Sequence, residues 1–202
     1  MEERILASWN EGFWALGVVP PKEAFASLIA RYREPHRHYH GVAHLDSCLR
    51  ELEPARGAGS RIGEVLLALL FHDAVYDPQR SDNETLSAVM AESVLREARA
   101  SEEVIARVVR MVLATKDHDA RGDADTALLL DTDLSILGAD EAVYESFEEA
   151  IRKEYAFVPD ALFREGRRAV LEGFLKRPRI YLTDVFHQRL ESQARINLQR
   201  HV

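Results

Sequence analysis

The sequence predicts an all-α fold, a single-domain helical bundle, and three observations carry that expectation. Apolar residues recur at helical spacing, as with Ile5, Leu6, Trp9, Phe13, Trp14 and Leu16, which gives a helix one face to bury. No stretch combines alternation, β-branched residues and hairpin turn chemistry, so no half-buried strand is expected. No linker, repeat or composition shift divides residues 1–202, and 202 residues with 47% hydrophobic content can build one sizeable core.

The elements follow in order. The first helix occupies residues 3–16 and is broken by Gly17-Val18-Val19-Pro20-Pro21. Trp9 and Phe13, four apart, belong to the core. A second helix runs from Lys22 to about Arg33, with Phe25, Leu28 and Ile29 on one side and Glu34-Pro35 as its stop. A loop from His36 to Tyr39 leads into a helix bearing His44, Leu45, Cys48, Leu49 and Leu52. Glu53 to Gly59 reads as a small-residue linker too short to separate domains. Ser60 is placed to cap the helix that ends at His72-Asp73.

Ser81-Asp82-Asn83-Glu84 has the form of a capping box opening a helix through Ala100, and Ser101-Glu102-Glu103-Val104 opens the next, which ends around Thr115 to His118. Asp117 through Asp125 is a polar loop. Gly138 stops the segment after Asp133, and Asp140 caps a helix from Glu141 to Tyr155. Val158-Pro159 separates it from a helix over Leu162 to Lys176, which Pro178 terminates. Thr183 caps the last helix, Asp184 to about Arg200. Tyr144, Tyr155 and Tyr181 read as core residues with hydroxyls at water.

Composition narrows the function classes. A formal net charge of −8 argues against binding a nucleic-acid polymer, which needs a basic surface or stripe. Cys48 is the only cysteine, so no intramolecular disulfide can form, and a buried, inert thiol in a reducing compartment is expected. No basic leader and no apolar run long enough to span a bilayer is visible, so a cytoplasmic location without membrane contact is expected. Arg31, Arg33 and Arg37 crowd the approach to the first histidines, and Arg37 is a candidate to meet an anionic substrate. Arg164, Arg167 and Arg168 form a second cluster, better read as a solvated helix face.

The chemistry gathers at the end of an apolar run. Leu66-Leu67-Ala68-Leu69-Leu70-Phe71 reads as a buried helix that delivers His72 and Asp73 side by side. A carboxylate in such a place needs a partner, and a divalent cation is the natural one; the bland alternative is a helix end, stopped by Asp77-Pro78, where polar residues collect. Upstream, His40 and His44 are four apart and share one face if the segment is helical. Downstream, Ala127 to Leu130 ends in Asp131-Thr132-Asp133. Imidazole and carboxylate together suit a range of divalent ions, so Mn, Mg, Zn, Fe, Co and Ni all stay open.

With these residues in view, the chain resembles the HD-domain superfamily of metal-dependent phosphohydrolases, whose signature is a His, a His-Asp pair and a distant Asp. His44, His72-Asp73 and Asp133 match by position, and the likeness is carried further by Arg37 to His44, His72 to Tyr76, Asp82 to Ala88, Thr115 to His118 and Ala194 to Leu198. More narrowly it resembles an uncharacterised bacterial subfamily of predicted HD phosphohydrolases. The resemblance runs over most of the chain and implies an HD-type bundle. It also implies a metal shell of His44, His72, Asp73 and Asp133, with Asp131 as the rival for the last place. Hydrolysis of a phosphate ester or anhydride in a small anionic substrate, foremost a nucleotide, by a metal-activated water would follow.

His40 matches the position at which cyclic-nucleotide hydrolases of the superfamily protonate the leaving oxygen; imidazole, with an ordinary pKa of about 6.5, suits that task. A surface histidine in a loop is its plain alternative. His118 stands where some relatives contact phosphate or a second metal, or else lies in a solvated loop. Asp77 and Glu84 follow the His-Asp pair as catalytic candidates, by likeness to alarmone hydrolases. Arg195 is a substrate-binding candidate, with an intrahelical pair to Glu191 as the more economical reading. A guanosine alarmone hydrolase, a catalytically silent metal- or nucleotide-binding module and a two-iron oxygenase are the competing functions.

Overall fold

The computed structural model describes residues 1–202. Ten α-helices make up the fold: α1 (Glu2–Ala15), α2 (Ala24–Tyr32), α3 (Val42–Leu52), α4 (Ile62–Phe71), α5 (Asn83–Glu97), α6 (Glu102–Ala114), α7 (Ala124–Asp133), α8 (Glu141–Glu154), α9 (Asp160–Leu175) and α10 (Asp184–Arg200). Two short 3-10 segments, Glu53–Ala58 and Leu134–Gly138, join α3 to α4 and follow α7. No strand occurs, so the fold is all-α as expected. No helix is long and apolar enough to cross a membrane.

Helix α4 is the axis of the bundle. Its apolar sequence has no polar face, and Gly63 through Phe71 are all buried, as a helix hydrophobic all round must be. It packs against α1, α3, α5, α6 and α7. The approach of α1 is close because glycines meet there: a Cβ added at Gly63 would lie 2.5 Å from Ala15 Cβ, and one at Gly12 2.8 Å from Leu67 Cγ. Trp9 binds this contact together, its ring centroid 4.7 Å from Phe13, 5.6 Å from Phe25 and 5.8 Å from Phe71. One hydrophobic cluster takes residues from every helix, including Leu171 of α9 and Leu198 of α10.

Several ends differ from expectation, each for a local reason. The small-residue stretch after α3 winds into a 3-10 turn with Pro54 in its first turn, a position that needs no N–H donor. Ser60 does not cap α4; the Asp125 carboxylate, buried in α7, accepts from the N–H groups of Ser60 and Arg61 at 2.7 and 3.0 Å. The Ser81 capping box does not form, because Asp82 precedes α5 and its carboxylate takes the Arg80 guanidinium instead. Helix α5 ends at Glu97 because Arg99 turns to φ 62, a conformation that closes helices. Ser101 caps α6 as expected, accepting from Val104 N–H. Thr183 precedes α10 without capping it, its hydroxyl donating to Asp131 at 2.6 Å. Tyr181 is dry at its tip, its hydroxyl donating to the Leu134 carbonyl at 3.0 Å.

Candidate metal centre

Three helix ends and one loop meet beside the C-terminus of α4. The first turn of α3 supplies His44, the residues just past α4 supply His72 and Asp73, and the last residue of α7 is Asp133. His44 Nε2 and His72 Nε2 stand 3.2 Å apart. Asp133 Oδ1 lies 3.3 Å from each of them, and Asp73 Oδ2 lies 3.1 Å from His72 Nε2 and 3.7 Å from His44 Nε2. His44, His72 and Asp133 place one ligand atom each within 4.8 Å of one another and can hold a metal ion. His118, in the loop after α6, brings Nε2 to 3.7 Å from Asp133 Oδ2.

The protonation pattern favours a cation at the centre. His72 Nδ1 donates to the Leu69 carbonyl at 2.6 Å; a carbonyl only accepts, so the neutral ring turns its Nε2 lone pair toward the other ligands. Lone pairs and carboxylate oxygens crowded this closely repel unless positive charge lies between them. Without metal, a proton must serve. Burial opposes the charging of His72, yet the Asp73 and Asp133 carboxylates outweigh it and hold the imidazolium well above its usual pKa. His44 goes the other way, lowered chiefly by burial despite its bond to Asp133. Asp133 is itself buried, but His72, His118 and His44 hold its carboxyl far below the usual range.

The cluster is asymmetric in its access to water. The His44 and His72 side chains are only 2% and 1% exposed, whereas Asp73 and Asp133 are 19% and 16% exposed. The imidazoles anchor the centre from inside and the carboxylates form its mouth. Behind His44, Cys48 Sγ lies 3.6 Å from Nδ1; burial pushes that thiol up, so it stays neutral.

A second polar knot flanks the mouth. Glu154, the last residue of α8, is buried. One of its oxygens accepts from the backbone N–H groups of His38, Tyr39 and His40 at 2.8, 2.7 and 3.0 Å. The other lies 2.7 Å from His40 Nδ1 and accepts from the Tyr76 hydroxyl at 2.9 Å. Burial raises this carboxyl, but the bonds to His40 and the backbone prevail and bring it down to about 2. The ionised carboxylate therefore takes a proton-bearing Nδ1 and leaves His40 Nε2 as the free ring nitrogen. The ring also stacks on Tyr76, with centroids 4.1 Å apart. His40 and His44 do not share a helix face, since α3 begins at Val42 after an extended Gly41.

The remaining candidates fall elsewhere. Arg37 is no substrate contact: its side chain is 0% exposed. Its guanidinium bonds Glu34 and the carbonyls of His40, Asp73 and Ala74 at 2.9, 2.6 and 3.1 Å. It ties the His40 loop to the turn that carries Asp73. Arg195 pairs with Glu191 and donates to the carbonyls of Leu175, Arg177 and Pro178, so it braces the end of α9 and is spent on structure. Asp77 accepts from Gln79 N–H at 2.9 Å and lines a separate cleft with Arg31, His36 and Arg80. Glu84 lies in the first turn of α5. No hydrogen bond or ion pair joins Asp77 or Glu84 to the histidines. Asp131, the rival ligand, accepts from Leu182 N–H, Thr183 N–H and the Thr183 hydroxyl at 2.7, 2.6 and 2.6 Å, so both of its oxygens are turned to that segment and not to the histidines.

Glu154 is the residue that sequence reading missed. Its signal was present: Phe147, Ile151 and Glu154 occupy positions of one helical stripe, and Phe147 and Ile151 are buried. A carboxylate in an apolar register requires donors. Comparison with known proteins adds nothing to this geometry: no family model, no curated protein and no solved structure matches the chain.

Proposed function

We propose that the chain is a metal-dependent phosphohydrolase of the HD-domain kind, cleaving a phosphate ester or anhydride in a small anionic substrate, foremost a nucleotide. The observation that carries this reading is the convergence of His44, His72, Asp73 and Asp133 from separate helix ends, with imidazoles buried and carboxylates at water. A metal held only for structure needs no open face, whereas a catalytic one does. A divalent ion held by these side chains supplies Lewis acidity and an acidified water.

The chain's own groups have the complementary tasks. Glu154 fixes the ring of His40 with Nδ1–H toward the carboxylate and Nε2 away from it. In the imidazolium form Nε2 also bears a proton, which it hands to the leaving oxygen as water oxygen bonds phosphorus and the ester bond breaks, leaving His40 neutral with Nδ1–H still on Glu154. His118, beside Asp133, is placed to steady a phosphate oxygen. Arg37 holds the His40 loop against the His72-Asp73 turn and so sets the distance between proton donor and ligands. No bond from Asp77 or Glu84 to the cluster supports a catalytic task for them, and Arg195 is taken up by Glu191 and three carbonyls, so these residues lend alarmone hydrolysis no support.

Metal analysis of protein purified without chelator, followed by turnover of p-nitrophenyl phosphate with added manganese, tests this function. Bound metal and a rate that falls at least about a hundredfold in Asp73→Ala are expected. Turnover undiminished by that substitution removes the shell, and metal binding without turnover by the wild type leaves a silent binding module.

A further inference from the structure

The substrate's phosphate needs cationic partners besides the metal, because Asp73, Asp133 and Glu154 make the surroundings acidic. Most cations near the mouth are already committed. Arg37 is sealed among carbonyls and Glu34, His40 faces Glu154, and the Lys116 ammonium donates to the Ser81 carbonyl at 3.0 Å. Arg177, two residues past α9, is different. It has no carboxylate partner, and its guanidinium makes only two long contacts, 3.4 Å each, to the carbonyls of Asp117 and His118.

Those contacts place the guanidinium against the backbone of the residue whose ring reaches Asp133. Phe174 completes the arrangement: its ring centroid is 4.8 Å from the Arg177 guanidinium carbon and 5.7 Å from the His118 ring. Each terminal nitrogen spends one N–H on these long contacts and keeps a second, and a guanidinium held flat on an aromatic ring offers such edge N–H groups to a phosphate.

Resting on the phosphohydrolase reading, we infer that Arg177 and His118 form a subsite for a second anionic group, one phosphate beyond the scissile one, so that the preferred substrate class is a diphosphate rather than a simple monoester. Arg177 bonds the outer phosphate, and Phe174 holds the guanidinium plane in place.

Calorimetric titration of the full chain, with and without manganese, tests this with two non-hydrolysable probes: methylenediphosphonate, which carries two anionic groups, and methylphosphonate, which carries one. The wild type is expected to prefer the diphosphonate. R177Q should weaken it about tenfold while leaving methylphosphonate within about twofold, and R177K should restore most of the loss. No preference in the wild type, or equal loss of both probes in R177Q, overturns the subsite and assigns Arg177 to tethering the His118 loop. The two readings fail separately. Absent turnover with a diphosphonate preference that depends on Arg177 removes the enzyme and keeps the anion site. Turnover of p-nitrophenyl phosphate with no such preference does the reverse.

Discussion

Asp131 and Asp133 lie on the same turn of α7 and face opposite fates. Asp131 is surrounded by donors: two backbone N–H groups and a hydroxyl from Leu182 and Thr183, just before α10, converge on it. Asp133 is surrounded by ring nitrogens that, when neutral, offer lone pairs of their own. The first carboxylate closes its hydrogen-bond account within the protein and holds two parts of the fold together. The second is satisfied only by positive charge brought in from outside, a proton or a cation. A buried carboxylate is thus structural or functional according to what faces it, and burial alone does not distinguish the two.

The largest test of this contrast is Asp131→Ala. Three donors lose their acceptor in a buried place, so a loss of about 3–5 kcal/mol is expected, read as a lower midpoint in chemical denaturation. Asp133→Asn keeps the shape of the side chain and strips no backbone N–H of its acceptor, so in metal-free protein it should cost less, losing the attraction to the His72 imidazolium. If the two substitutions destabilise alike, the distinction between them fails.

Metal addition gives the next largest effect. Manganese at about a hundred times its Kd should raise wild-type stability by about 2.7 kcal/mol. Asp133→Asn and His72→Ala should abolish that rise, while a conservative change at Asp77 leaves it intact. A thermal shift that survives loss of His72 places the ion elsewhere.

Glu154 extends the comparison to a third carboxylate, satisfied like Asp131 but adjoining the site. Its folded pKa is held near 2, below its ordinary 4.5, so the stability it contributes is full above about pH 4.5 and is lost as pH falls toward 2. Glu154→Gln should flatten that part of the stability profile. The proposed function adds a second expectation, a kcat that falls more than KM rises. An unchanged acid limb shows that the carboxylate is not held ionised by His40 and the backbone.

The smallest effects separate two serines. Ser101→Ala removes a working cap from α6 and should cost about 1 kcal/mol. Ser60→Ala should cost almost nothing, because Asp125 bonds the Ser60 backbone and not its hydroxyl. Equal costs would mean that Asp125 does not replace the cap.

Much of the architecture was legible before any coordinates. The seamless apolar run of α4 announced a central helix, and the stripe Ile5, Trp9 and Phe13 announced the face that packs on it. The adjacency of His72 and Asp73 at the end of that run was legible as chemistry for the same reason, since polar groups arriving from buried helix need partners. Capping was less legible. Ser60 and Ser81 have the right side chains, but each helix starts one residue later than its serine predicts: Asp125, far along the chain, holds the Ser60 and Arg61 N–H groups, and Asp82, paired with Arg80, takes the position before α5.

By itself the sequence determined the helices, their buried faces and which side chains could hold a metal ion, because helical period and residue type are local properties. Tertiary structure decided the rest: that Asp133 and not Asp131 joins the histidines, that Arg37 is a strut, and that Glu154 seats His40. Each of these depends on which donor or acceptor arrives from a distant segment, and in a bundle the order and rotation of packed helices settle that.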